Sequence, residues 1–194
     1  MLIVYGDVRS GNCLKVKWML DWLDRDYRWI EVDILSGASR TPEFLALSPA
    51  GQVPVIVLDD GRPLAQSNAI LLHLADGTDR IPVDSYDRAR MLEWMFWEQY
   101  SHEPYVAVAR FQRLYLGKTA VEVEPRIMDR GRLALSRLET ALIAADWLAG
   151  PAPSVADLAL VAYTRVADEG GFDLNAFPAI RGWIARVEAA FGIA

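Results

Sequence analysis

The sequence predicts an α/β domain followed by an all-helical domain, and three observations carry that prediction. Strand and helix signals alternate over residues 1–76. The stretch DGTDRIPVDS, Asp76 to Ser85, is polar and holds Gly and Pro, which marks a linker over 77–84. Beyond it strand signals stop, and only amphipathic helical patterns remain over 85–194.

In order, LIVY (Leu2 to Tyr5) is a short apolar run rich in β-branched residues, hence a buried strand. From Asn12 to Leu23 the pattern is helical, and YRWIEVDI (Tyr27 to Ile34) alternates as a second strand. TPEFLAL opens with Thr41 and Pro42, a helix N-cap followed by proline in the first turn. VPVIVLDDGRPLA (Val53 to Ala65) reads as two strands around Asp60-Gly61, a hairpin signal. SNAILLHLA is an apolar helix with Ser67 as its natural N-cap. The first domain is therefore βαβ, a short helix, then ββα.

In the second domain, Tyr86 to Leu116 forms one long amphipathic pattern. Pro104 lies inside it, where it should kink the helix or end it one residue earlier. A further helix is predicted over Val121 to Ala145, with Leu133, Leu138 and Leu142 among its apolar positions. PSVADLALVAYTRVA and FPAIRGWIARVEAAF supply two more. Ser154 and Asp157 form a serine-x-x-acid box ahead of an apolar run, a structural capping signature.

Composition narrows the function. The 194 residues are 53% hydrophobic and 24% charged, with a net charge of −6, and there is no basic block for nucleic acid or an anionic membrane. No stretch approaches the ~20 apolar residues of a membrane span. The start lacks the basic flank and long apolar core of a signal peptide, so a cytoplasmic protein is expected. One cysteine excludes an internal disulfide and an all-cysteine metal site, and no metal is expected.

Two segments carry a family resemblance. SPAGQVPVIVLDDGRPLAQSNAILLHLA (Ser48 to Ala75) is similar to the glutathione-site half of the first domain of cytosolic glutathione transferases. SVADLALVAYTRVADEGGFDLNAFPAIRGWIARV (Ser154 to Val187) is similar to the end of their helical domain. The resemblance implies a thioredoxin-like first domain over 1–76, a helical-bundle domain over 85–194 and a homodimer. It also implies glutathione as co-substrate for attack on a small hydrophobic electrophile.

Residue by residue, the resemblance implies a cis bond before Pro54. That bond would turn the backbone NH and CO of Val53 toward the cysteinyl unit of glutathione. Gln66 and Ser67 stand at a helix start, whose free NH groups suit the γ-glutamyl carboxylate. Many members carry an acid where Gln66 stands, and the glutamine keeps a hydrogen bond to the ammonium without the charge. Gln52 is implied near the glycyl carboxylate. Arg40 is either a second ligand for it or a solvated arginine. Ser48 replaces the usual asparagine of this loop and puts one loop contact in question.

The stretch RSGNC, Arg9 to Cys13, holds the candidates for catalysis. It joins the first strand to the first helix, and a dithiol member would have cysteines at Ser10 and Cys13, so an internal dithiol mechanism is excluded. Cys13 shares a register with Val16, Leu20 and Leu23 and reads as a buried small hydrophobe rather than a nucleophile. Ser10 matches the first-loop serine or cysteine of several classes, and Asn12 matches an asparagine that a bacterial class uses near the sulfur. A thiol with pKa ~8.5 is mostly protonated near neutral pH. A hydroxyl donor at ~3 Å and the helix dipole would hold it as thiolate. Ser10 is thus either that donor or a plain N-cap.

The electrophile is expected against the kinked helix around Pro104, where Tyr100, Tyr105 and Phe111 lie. Conjugation, glutathione-dependent disulfide or peroxide reduction, and non-catalytic ligand binding remain as alternatives.

Overall fold

The apolar run at the front becomes an inner strand of a four-stranded sheet. The computed structural model describes residues 1–193, which divide into two compact units, Met1–Gly77 and Thr78 onward. In the first unit β1 (Leu2–Gly6), β2 (Tyr27–Glu31), β3 (Val55–Val57) and β4 (Pro63–Ala65) stand in the order β2-β1-β3-β4. β1 and β2 are parallel, which requires the crossover that α1 (Gly11–Trp22) provides. β3 runs antiparallel to both neighbours, and Gly61 turns the β3–β4 hairpin at φ +86°.

β2 is shorter than the alternating pattern suggested. The Val32 amide bonds Gly6 at 2.8 Å, and then the Asp33 carboxylate takes the Leu35 amide and turns the chain. A Cβ at Gly6 would sit 2.5 Å from the Trp29 ring and 3.3 Å from Cys13 Cβ, so any larger residue there must displace that ring. Beyond the sheet, α2 (Pro42–Leu47) buries Phe44 against Val32, Val55 and Tyr5. Thr41 caps α2 by accepting the Phe44 amide, as its Thr-Pro start predicts. On α1, Cys13, Val16 and Leu20 are fully buried, and the half-buried Leu23 closes the helix. α3 (Ser67–Ala75) packs against α1.

In the second unit Asp84 caps α4 (Ser85–Trp97) by accepting the amides of Tyr86 and Asp87. The interruption predicted at Pro104 lies one turn earlier, as a π-helical turn over Glu98–His102. α5 (Glu103–Leu114) then begins with Pro104 in its first turn, where the missing N–H is one of the orphan donors anyway. Glu98 and His102 on the π turn are fully buried. The Thr164 hydroxyl donates its one proton to the Leu160 carbonyl, so at 3.0 Å it accepts from His102 Nε2–H.

α6 (Pro125–Ala144) starts four residues later than the predicted helix, because Pro125 fits the first helical position. Ahead of it, the Glu122 carboxylate accepts the Thr119 amide and hydroxyl and closes a turn. Leu138 and Leu142 are core, but Leu133 is 62% exposed, against its predicted place among the apolar positions. α7 (Val155–Thr164) is buried at every residue.

The box at the start of α7 closes. The Ser154 hydroxyl accepts the Ala156 amide, and Asp157 reaches back to the Ser154 amide at 2.9 Å. Asp157 also accepts from the Ser154 hydroxyl, the Leu148 amide and Trp183 Nε1. Burial pushes the Asp157 carboxyl up, and these donors pull the other way. Glu139 of α6 caps α8 (Pro178–Phe191) through the amides of Ala179 and Ile180. No helix among the described residues is long and apolar enough to cross a membrane.

Candidate functional site

Sheet register gathers one end of the first unit. Val55 at the start of β3 pairs with Ala65 at the end of β4 and with Tyr5 near the end of β1. The β1–α1 loop, the Val53-Pro54 segment and Gln66 therefore leave the sheet on the same edge. The expected site residues come from these three connections and from the Arg40 segment.

The β1–α1 loop is shaped by charge. The buried Asp7 carboxylate accepts from the Arg9 amide (2.9 Å), Nε (2.9 Å) and Nη2 (2.7 Å), and Arg9 also pairs with Asp33 at 2.7 Å. Burial pushes Asp7 up, but the Arg9 hydrogen bonds outweigh it and hold the carboxyl below its usual range. The Arg9 guanidinium likewise holds Asp33 down. Sequence reading missed this clasp, because Asp33 lies 24 residues from Arg9.

Ser10 stands at the N-cap of α1 in extended conformation, and its carbonyl accepts the amides of Cys13 and Leu14. Its hydroxyl makes no capping bond, so the plain N-cap reading does not hold for the side chain. Cys13 is fully buried, and the Asp7 amide donates to its sulfur at 3.4 Å. Burial pushes this thiol up to about 11, against the pull of the Asp7 amide and the Ser10 hydroxyl. It is a packed thiol, as the helical register predicts.

α3 begins at Ser67 itself, which corrects its reading as the N-cap. Gln66 takes that place, with φ 70° and ψ 111° and no capping bond from its side chain. A non-glycine residue at such φ costs on the order of 1–3 kcal/mol and persists where the surroundings impose it. The Ser67 hydroxyl donates instead to Asn12 Oδ1 at 3.1 Å and ties the start of α3 to the start of α1. Beside this link the fully buried Lys15 approaches Asn68 Oδ1 at 3.5 Å. Lys15 gives no sequence signal, since a lysine between apolar helix positions reads as solvated.

The loop ahead of β3 keeps its contact despite the serine. Ser48 is buried, and its hydroxyl donates to the Gln52 carbonyl at 3.2 Å. The Val53–Pro54 bond is cis. The Gln52 side chain is exposed, Val53 packs on the Val32–Phe44–Val55 cluster, and Pro54 is buried. Arg40 is not simply solvated, because its Nη1 donates to the Ala50 carbonyl at 3.0 Å.

In the second unit, Tyr100 and Tyr105 line a cavity, while Phe111 stacks on Tyr115 at 5.4 Å. The two histidines are far from serving Ser10 as a base in sequence terms: His73 is an exposed residue of α3 and His102 is buried on the π turn.

A β2-β1-β3-β4 sheet with helices, followed by a helical domain, is the fold of a thioredoxin-like domain joined to a helical bundle. Residues 9–76 match the glutathione S-transferase N-terminal domain, and residues 118–190 match the C-terminal domain. The disulfide-bond oxidoreductase YfcG of Escherichia coli K12 is 31% identical over 191 residues, 93% of this chain and 87% of its own length. A glutathione S-transferase from Pseudomonas fluorescens Pf-5 has a crystal structure with TM-score 0.94 and 49% identity, covering 97% of this chain and 94% of that one. Ure2p in complex with glutathione superposes with TM-score 0.87 at 25% identity, covering 96% and 93%. The chain belongs to the glutathione S-transferase family.

Proposed function

We propose that this protein binds glutathione at the gathered edge of its first domain, residues 1–76, and holds the thiol as thiolate for attack on a small electrophile. The observation that carries the reading is the start of α1. Ser10 occupies the N-cap, yet its hydroxyl makes no capping bond, and Asn12 beside it is oriented by Ser67. A donor hydroxyl at a helix start stabilises an anion through both a hydrogen bond and the helix dipole. Ser10 is a donor and not a base. The reactive sulfur arrives with glutathione, consistent with a Cys13 thiol raised to about 11.

In this reading the first-turn amides of α3 and the Ser67 position receive the γ-glutamyl carboxylate, with Gln66 accepting from the ammonium. Backbone groups of Val53, beside Pro54, pair with the cysteinyl unit. Gln52 faces the glycyl carboxylate, with Arg40 at the same loop. The helical domain, residues 85–194 after a linker over 77–84, would receive the electrophile. The working form would be a cytoplasmic homodimer without metal.

Likeness to the YfcG oxidoreductase favours a second reading, glutathione-dependent disulfide reduction. In it one glutathione thiolate attacks the disulfide, one thiolate leaves, and a second glutathione resolves the mixed disulfide.

Thermal unfolding with glutathione tests the shared premise. At ~100 times the dissociation constant, binding stabilises the fold by about 2.7 kcal/mol. No shift at millimolar glutathione would reject both readings. Turnover of a chloronitroaromatic acceptor then supports conjugation, and turnover of hydroxyethyl disulfide supports reduction. A thermal shift with neither activity leaves a binding protein.

A further inference from the structure

Carboxylates fix the residues ahead of Ser10 one by one. Asp7, whose side chain is 1% exposed, accepts from the Arg9 amide, Nε and Nη2 at 2.9, 2.9 and 2.7 Å. The Val8 amide donates to Glu31 Oε1 at 3.2 Å, and Trp29 Nε1 donates to the other oxygen of Glu31 at 2.8 Å. Arg9 is gripped a second time by Asp33 at 2.7 Å, and Asp33 also takes the Leu35 amide at 3.0 Å. The Ser10 amide then closes on the Asp7 carbonyl at 2.9 Å. The short β1–α1 loop is thus tied to β2 and to the turn that follows it.

Stability alone does not account for so many directed bonds. Desolvation of a buried carboxylate offsets much of its attraction to a guanidinium, so a buried ion pair is a modest source of net stability. At Asp7 burial is the largest influence and opposes the charge, although the Arg9 bonds outweigh it. Charge does not account for them either, because the field has the wrong sign for an anion site. Asp7, Asp33 and Glu31 stand against the Arg9 guanidinium, and Asp7 and Glu31 push the neighbouring Cys13 thiol up through space. The same field opposes a thiolate beside Ser10.

What such bonds supply is orientation, since a guanidinium fork on a carboxylate fixes plane and distance. The Asp7 amide also donates to the Cys13 sulfur at 3.4 Å, and the Ser10 hydroxyl acts on that same sulfur. Cys13 stays a neutral thiol and is a weak acceptor, so an arriving thiolate is the stronger claimant for the Ser10 proton.

We propose that Asp7 and Arg9 are positioning residues, whose clasp aims the Ser10 hydroxyl at the sulfur of bound glutathione. This deepens the function proposed above and rests on that reading. In this role both residues act through Ser10, and a displacement of about 1 Å at a reacting group costs up to about a hundredfold in rate.

Titration of the ultraviolet thiolate band of glutathione bound to the full chain tests it, together with kcat and KM for glutathione. Asp7→Asn keeps the shape of the side chain and removes its charge. Through the field alone it would move the thiol titration to lower pH; through Ser10 it moves it to higher pH. Arg9→Gln shifts the titration the same way and lowers kcat about tenfold, with KM changed by less than about threefold. Arg9→Lys restores the charge without the fork and recovers only part of the rate. In a Ser10→Ala background Arg9→Gln adds less than about twofold, because the two changes share one route. Asp33→Asn, on the exposed arm of the clasp, shifts the titration to higher pH by a smaller amount and serves if the buried variant does not fold. A shift to lower pH in Asp7→Asn, full recovery in Arg9→Lys or additive effects of Ser10→Ala and Arg9→Gln would overturn the proposal. If Ser10→Ala moves the titration and the clasp variants do not, the positioning role alone fails. If Ser10→Ala leaves it unmoved, the thiolate reading fails and this role with it.

Discussion

Two serines stand at helix starts in this molecule, and their surroundings differ completely. At Ser154 the hydroxyl, the Asp157 carboxylate and the indole of Trp183 close a buried network around the start of α7. At Ser10 the hydroxyl makes no capping bond, and the loop is held from outside by Arg9, Asp7 and Asp33. One helix start is closed by its own serine, and at the other the serine hydroxyl acts on the buried Cys13 thiol instead of capping. Sequence position at an N-cap therefore does not tell which serine caps. What distinguishes them is whether the hydroxyl serves its own helix start.

The largest expected effect tests the closed start. Asp157→Asn leaves donors facing an amide and should cost about 3–4 kcal/mol in denaturant unfolding. A cost below about 1 kcal/mol would mean that the network is dispensable. At the open start, Ser10→Ala should lower turnover with glutathione by about 10- to 100-fold, the worth of a hydrogen bond to a charged group. The ultraviolet thiolate band of bound glutathione should titrate at higher pH in this variant, while unfolding stability moves by no more than about 0.5 kcal/mol. Ser154→Ala should do the reverse, costing about 1 kcal/mol of stability with unchanged turnover per folded molecule.

Acid separates the two regions by sign. Asp7 and Asp33 have lowered carboxyls, so their stabilisation is present above the usual aspartate value near ~4 and is lost as pH falls through their folded values. Asp157 is raised by burial, so its contribution is present below that usual value and is lost as pH rises through its folded value. Stability curves of the wild type and Arg9→Gln should converge on acidification, and parallel curves would show that the clasp adds nothing. The smallest signal is chemical. Cys13 should resist alkylation near neutral pH in the native state and react only on unfolding.

Much of this was legible in one dimension. Element types, the hairpin at Gly61, the buried register of Cys13 and the Ser154–Asp157 box all depend on residues close in sequence, where periodicity and capping chemistry act. The misplacements have local causes with distant arbiters. Ser67 reads as a cap from its own neighbourhood, but Asn12, 55 residues away, claims its hydroxyl. Leu133 fits an apolar helical stripe, but α6 turns it to a cavity shared with Arg126 and Arg130. The break in the long helix falls on the π turn, just ahead of Pro104 in the first turn of α5.

The sequence by itself determined the two-part architecture, because hydrophobic period and turn chemistry are read from neighbours, while the family came from the resemblance of Ser48 to Ala75 and Ser154 to Val187. Only the tertiary structure decided which polar groups are spent and which are available. That depends on contacts such as Arg9 with Asp33, Ser67 with Asn12 and Trp183 with Asp157. A hydrogen bond has no sequence periodicity, so its partner becomes known only when the chain has folded.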